Sequence, residues 1–379
     1  MDLSPVIQLS QELIRQESIT PNDMGCQKLL YDLLIKAGFT CEHKRFADVD
    51  NLFAFHGDNS GKSLMFLGHT DVVPTGDEKL WKHPPFSGRS DGEYLYGRGS
   101  ADMKAGVAAF TLAMIAYVKE NPKHAGKISL MLTSDEEGIA ENGVKKMMPH
   151  VSNNHDFDYC IVGEPSSSEK LGDIVRIGRR GSLHVTITIH GKQGHVAYPE
   201  NANNPVFLSA KFIDDLSQFK WDDGNEDFPA TSFQISSVKT SSNTSNIIPA
   251  DLIIQANFRY SPESTESSLT LQIEKLLNEH DLKYSLSWNL SGKPFHSKNN
   301  ELKNAIKQSI FDVTQINTQF NTAGGTSDGR FVAPHGVEVV ELGVINKTIH
   351  QINECVLISD VEKLEKIYRQ LINKLLYEV

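Results

Sequence analysis

Two histidines and several carboxylates stand where a polypeptide could hold a pair of cations. In GHTDVVP, His69 and Asp71 lie two residues apart after a β-type run, so extended backbone sends both side chains to one face. Asp71 can then accept a hydrogen bond from the His69 imidazole and select its tautomer, as partners of metal-bound histidines do. Taken alone, that segment reads more readily as a surface loop with two polar residues. Asp102, in the turn LYGRGSADMKAG, precedes the apolar stretch Gly106 to Val118. Aspartate there often caps a helix, but its two oxygens can also bridge two cations. Asp135, Glu136 and Glu137 are consecutive after a strand containing Leu and Met. Three adjacent acids at a core edge repel one another unless a cation is near. Neighbours in an extended segment point in opposite directions, so one glutamate can bind metal while the other handles a proton. Glu164 in GEPS follows a third β-type run, and His350 in TIHQINE follows a short β-like approach, Asn346 to Ile349. Together His69, Asp102, Glu137, Glu164 and His350 make a nitrogen and oxygen ligand set suited to a two-metal hydrolytic centre.

The elements that must carry these groups are legible in the same way. Up to about residue 179, short β-type runs alternate with helical stretches, which predicts an α/β catalytic domain with a mostly parallel sheet flanked by helices. Leu64 to Leu67, Ile128 to Leu132 and Tyr159 to Val162 each run directly into polar residues, GHTD, TSDEEG and GEPS. In open α/β sheets, ligands gather beyond the carboxyl ends of the strands. From Arg180 the texture changes to strand, helix, strand, strand, helix, strand, the order of a ferredoxin-like α+β unit. Its first helix, Asn203 to Phe219, carries Phe207, Ala210, Ile213 and Leu216 at helical spacing. After Gly292 the α/β texture returns with a helix Glu301 to Val313, a strand Val337 to Leu342 and a C-terminal helix from Asp360. The expected organisation is a catalytic domain of residues 1–179 and 293–379 interrupted by an inserted domain, 180–292.

Composition narrows the functional classes. Of 379 residues, 39% are hydrophobic and 22% charged, as in ordinary globular proteins. A formal net charge of -11, with no Lys/Arg stripe, argues against nucleic acid as a partner. The N-terminal MDLSPVIQLSQELIRQ reads as an amphipathic helix rather than a signal peptide, and Gly106 to Val118 is shorter than the about 20 residues that cross a bilayer. No membrane association is expected. Four scattered cysteines without a C-x-x-C pair indicate neither a disulfide framework nor a thiolate metal site, and point to the cytoplasm.

GHTDVVP, the W-x-x-P-P-F-S-G of Trp81 to Gly88, LYGRGSADMK, SDEEG, GEPS, GRRGS, QGHVAYP, GGTSDGRF and TIHQINE span nearly the whole chain. In these motifs it resembles the succinyl-diaminopimelate desuccinylases, within the aminoacylase and carboxypeptidase group of two-zinc enzymes. The resemblance implies two Zn2+ per subunit, with Co2+ or Mn2+ as possible substitutes. One would sit on His69 and Glu164, the other on Glu137 and His350, with Asp102 bridging and Asp71 supporting His69. It further implies Glu136 as general base and acid, and His195, from the other protomer of a homodimer, helping to hold the oxyanion. Dimerisation would run through the inserted domain. Arg179, Tyr198, Asn246, Arg259, Thr326 and Asn346 would contact the substrate, the arginines meeting its carboxylates in bidentate fashion. The implied reaction is hydrolysis of N-succinyl-L,L-diaminopimelate in diaminopimelate and lysine biosynthesis. A related deacylase or dipeptidase, such as an acetylornithine deacetylase, and a metal-binding module without catalysis are the alternatives. The chain departs from the pattern at Lys104-Ala105-Gly106, Val344-Ile345 and SSNTSNIIP, none of which includes a proposed ligand.

Overall fold

In a computed structural model, which describes residues 3–376, the chain divides into two compact units. Within the described residues, the larger comprises 3–178, 296–321 and 327–376, and the smaller 179–295 and 322–326.

The larger unit is built on a mixed eight-stranded sheet in the order Thr40–Phe46, Val49–Gly57, Lys127–Thr133, Ser63–His69, Tyr159–Val162, Glu338–Glu341, Ile174–Arg176, Gln319–Asn321. The four strands at its centre, Lys127–Thr133 to Glu338–Glu341, run parallel, with Leu64 opposite both Ile128 and Tyr159, and Tyr159 opposite Glu338. At one edge Thr40–Phe46 and Val49–Gly57 form an antiparallel hairpin, so the sheet is less uniformly parallel than the sequence texture predicts. Every residue of Ser63–His69 and of Lys127–Thr133 is buried, which explains why these strands read as largely apolar runs, with Ser129 the one polar residue between Ile128 and Leu132, instead of alternating ones.

Helix Ala105–Glu120 covers the sheet and packs against Pro5–Ile14 and Ile358–Leu376. Phe110 stacks on Phe66 of the central strand with ring centroids 4.1 Å apart, and Tyr368 meets Phe110 edge-on at 5.2 Å. The continuous segment Ser100–Glu120 is longer than its apolar run and would suffice by length and composition to cross a membrane. However, 83% of its apolar window is buried inside the protein, the position of a core helix.

The smaller unit is an antiparallel sheet in the order Ser232–Thr240, Asp251–Tyr260, Gly181–His190, Tyr284–Gly292, with helices Pro205–Gln218 and Glu266–Glu279. Leu183, Val185, Ile187 and Ile189 form its core with Phe212, Leu216, Ile273 and Leu277. The buried face of Pro205–Gln218 is Pro205, Ser209, Phe212 and Leu216, which keeps Leu216 of the apolar spacing read in the sequence, with Ile213 half-buried beside it, but turns Phe207 and Ala210 outward. Phe207 is on the outside and 79% exposed. A serine on the inner face and an aromatic on the outer one hid this orientation from a hydrophobicity pattern.

Candidate metal centre

The parallel register brings the ligand-bearing segments to one sheet edge. His69 closes its strand opposite Thr133, just before Glu136 and Glu137, while Glu164 comes two residues beyond the strand ending at Val162. Gly163 permits the close fit, since a Cβ there would lie 2.3 Å from Phe66 Cζ and 2.5 Å from Met103 Cε. Asp102 arrives from a turn leading into helix Ala105–Glu120, with extended backbone (φ -122°, ψ 95°) followed by a second non-helical residue, Met103. It does not cap that helix, whose N-terminal flanking residue is Lys104. His350 lies in the left-handed backbone region (φ 59°), unusual for a non-glycine residue and typical of positions held in place by their surroundings.

His69 Nε2 is 3.2 Å from Asp102 Oδ1 and 3.6 Å from Glu164 Oε1. His350 Nε2 is 2.9 Å from Glu137 Oε1 and 3.3 Å from Asp102 Oδ2. Two groups able to hold a metal ion result, His69 with Asp102 and Glu164, and Asp102 with Glu137 and His350, and Asp102 belongs to both. Ligand atoms at zinc-like bond lengths around a tetrahedral ion are separated by about 3.4 Å. The observed spacings therefore suit a cation in each group, with one Asp102 oxygen turned to each.

The charges make the same point. His69 is fully buried, which opposes its protonation, yet hydrogen bonds to Asp102 and Glu164 outweigh this and raise its pKa well above the usual range. Hydrogen bonds to Asp102 and then Glu137 push His350 up to about 10. Burial raises Glu164, with the Asp102 charge adding to it, to about 7. Burial works to raise Asp102 as well, but hydrogen bonds from His350 and His69 reverse the effect and hold it low. Glu136 is driven well above the carboxylate range by burial and then by the Glu164 charge. Without a cation, protons hold this cluster together; with positive ions between the carboxylates, they are no longer needed.

The model of peptidase family M20/M25/M40 matches residues 65–374. The chain belongs to this family. It is 49% identical over 367 residues to the succinyl-diaminopimelate desuccinylase of Coxiella burnetii, covering 97% of this chain and 98% of that one. The desuccinylase of Marinobacter nauticus is 48% identical over 377 residues, 99% of this chain and 100% of its own. Among solved structures, an M20 metallo-carboxypeptidase from Sulfolobus solfataricus shares the fold with TM-score 0.80 at 18% identity, over 98% of this chain and 99% of that one. A dinuclear metal-binding M20 peptidase from Bacillus subtilis gives TM-score 0.75 at 12% identity, over 98% and 97%.

Other residues of this M20 chain refine the expected arrangement. The His69 tautomer is set by the main chain: Nδ1 lies 2.9 Å from the Asp71 carbonyl oxygen, against 3.6 Å from its carboxylate. The Asp71 carboxylate instead accepts from the backbone N–H groups of Glu136 (3.4 Å) and Glu137 (3.1 Å), and burial pushes its pKa to about 6. Glu136 and Glu137 sit in a turn rather than on extended backbone, and Glu136 belongs to neither ligand group. Asp135 does not add to the crowding, because its carboxylate faces the amides of Ile139, Glu141 and Asn142.

Of the remaining predicted site residues, His195, Arg179, Tyr198, Asn246, Arg259 and Thr326 belong to the smaller unit and Asn346 to the larger. Exposed His195 pairs in a short antiparallel ladder with Ile247, next to Asn246, and its ring is 5.7 Å from that of Tyr198. Arg179 donates to the Ala323 carbonyl at 2.7 Å, which draws the chain just before Thr326 onto it. Arg259 stands opposite Ser182 in the antiparallel sheet. Half-buried Asn346 donates its N–H to the Ser167 carbonyl at 3.0 Å. Two residues that residue types and spacing had not marked out are Arg98 and Glu354, a buried pair behind Asp102. Glu354 follows His350 by four positions within TIHQINE, which was the available signal.

Proposed function

We propose that this chain hydrolyses the amide of N-succinyl-L,L-diaminopimelate to succinate and L,L-diaminopimelate, serving diaminopimelate and lysine biosynthesis. The observation that carries the reading is the pair of ligand groups sharing Asp102, with Glu136 left outside both. Near 49% identity along almost the full length to chains named for this activity supports the choice of substrate. Zinc is the proposed occupant, cobalt or manganese substituting, held by His69 and Glu164 on one side and Glu137 and His350 on the other. Such ions supply Lewis acidity and lower the pKa of water from about 15.7 to about 7.

The chain's own groups do the rest. Glu136, a buried carboxylate outside both ligand groups, takes a proton from the attacking water and returns it to the departing amine. His195 of the second protomer donates to the developing oxyanion. Arg179 and Arg259 meet substrate carboxylates, while Tyr198, Asn246, Thr326 and Asn346 orient the remainder. The homodimer this requires would use the smaller unit, where Phe207 (79% exposed) and Tyr198 (60%) lie on the surface and Ser232–Thr240 is an edge strand. The four cysteines are free, in keeping with a cytoplasmic setting.

The test is release of free amine from N-succinyl-L,L-diaminopimelate, with N-acetylornithine alongside, after chelation and after zinc is restored. Zinc-dependent turnover of the succinyl compound alone supports the reading. Turnover of the acetyl compound instead would keep the centre and overturn the substrate, while no turnover with metal bound would favour a non-catalytic metal-binding role.

A further inference from the structure

Behind the candidate ligands, one buried ion pair ties three segments of the larger unit together. Strand Cys355–Leu357 pairs with Tyr94–Tyr96, which sets residues 350–354 beside residues 97–102, and Gly97 N–H extends the contact to the Glu354 carbonyl at 3.0 Å. The Glu354 side chain is 1% exposed and both its oxygens are used. Oε1 accepts from the N–H groups of Ala101 (2.9 Å) and Asp102 (3.1 Å). Oε2 accepts from Gly99 N–H (3.0 Å) and from Arg98 Nη1 (2.8 Å). Arg98, 2% exposed, continues outward: Nη1 also donates to the Gln351 carbonyl and Nη2 to the Pro74 carbonyl, each at 3.2 Å. Its guanidinium lies 5.2 Å from the Trp81 ring centroid, and Trp81 Nε1 donates to the Thr75 carbonyl at 2.9 Å.

We propose that Arg98 and Glu354 are positioning residues that set Asp102 and His350 in ligating geometry before any cation arrives. The inference rests on the two-metal reading of the centre given above. The pair does not touch the ligand atoms; it acts through the backbone. Glu354 holds the peptide N–H of Asp102 itself, while Arg98 holds the carbonyl next to His350 and that of the segment beginning at His69. A carboxylate is required because four donors converge on it, and an amide would turn its own N–H2 toward two of them. A fork is required on the other side because one cation must reach carbonyls on two loops and the carboxylate together.

Two variants test this in the full chain, stripped of metal and titrated with zinc against a competing chelator. Glu354→Gln is expected to weaken zinc affinity roughly 10- to 100-fold. Arg98→Lys, which keeps the charge but loses the fork, moves affinity the same way by less. Metal-free melting and circular dichroism establish that each variant is folded, so that lost stability is separated from lost affinity. Folded variants with the parent's zinc affinity would overturn the proposal; a parent that binds no zinc would overturn the metal-centre reading instead. Backbone hydrogen exchange of the unaltered, metal-free chain gives a second readout that no folding defect can obscure. The Gly99, Ala101 and Asp102 amides are expected to be protected already without metal, and fast exchange that slows only on adding zinc would refute pre-positioning.

Discussion

Loading the centre with metal should expel protons, and the number follows from the groups present. In the metal-free protein His350 is pushed up to about 10 by its hydrogen bonds to Asp102 and Glu137. His69, despite burial, is raised well above its usual range by Asp102 and Glu164. At pH 7 the His350 imidazole is charged, His69 is shifted toward its charged form, and Glu164, raised to about 7 mainly by burial, is about half protonated. Metal ligation requires neutral imidazole and ionised carboxylate. The His350 imidazole alone must then release about one proton at pH 7, and the raised His69, Glu164 and Glu136 add to that number. The sign is fixed: proton and metal compete, so affinity rises with pH. The increase is roughly tenfold per pH unit for the Glu137/His350 group up to about pH 10, and steeper below about pH 7 for the His69/Glu164 group. Titration calorimetry with zinc in buffers of different ionisation enthalpy reads the proton count as a slope. A count near zero at pH 7, or an affinity that does not change between pH 7 and 9, would refute the argument that protons hold the empty cluster together.

Glu136→Gln should lower kcat by about 10²- to 10⁴-fold or more while the protein retains both metals, measured by steady-state assay and metal analysis; near-parental turnover would remove Glu136 from its proposed role. His195→Ala should reduce turnover far more than metal content, and mixing it with Asp102→Asn should regain activity in heterodimers; no recovery would argue against a histidine supplied across protomers. Phe110→Ala, which removes a fully buried ring stacked 4.1 Å from Phe66, should cost about 3–5 kcal/mol in urea unfolding of the metal-free protein, and a loss under about 1 kcal/mol would contradict the packing described.

Much of the candidate centre was legible because its chemistry is written at the ends of strands. A fully buried parallel strand reads as a near-continuous apolar run, so the point where Leu64 to Leu67 gives way to His69, or Tyr159 to Val162 to Glu164, marks a sheet edge directly. The uniform apolarity of Gly106 to Val118 likewise announced a core helix. Less legible was anything that depends on which face or which backbone group a side chain meets. The hairpin Thr40–Phe46 and Val49–Gly57 has no strong alternation in its polar outer strand. Phe207 looked like a core residue because helical spacing alone cannot say which of two stripes faces the sheet.

Local sequence, then, determined the order of the strands' polar ends, the kinds of ligand available and the helix behind them, because period and residue type constrain backbone within a few residues. Tertiary structure decided the rest: that Asp102 stands between the two histidines, that the Asp71 carbonyl rather than its carboxylate orients His69, and that Asp71's carboxylate shapes the glutamate turn. It also decided that Glu354 holds the amide of a residue 252 positions earlier. Such partners are chosen by where the packed core brings distant loops, and no spacing along the chain encodes them.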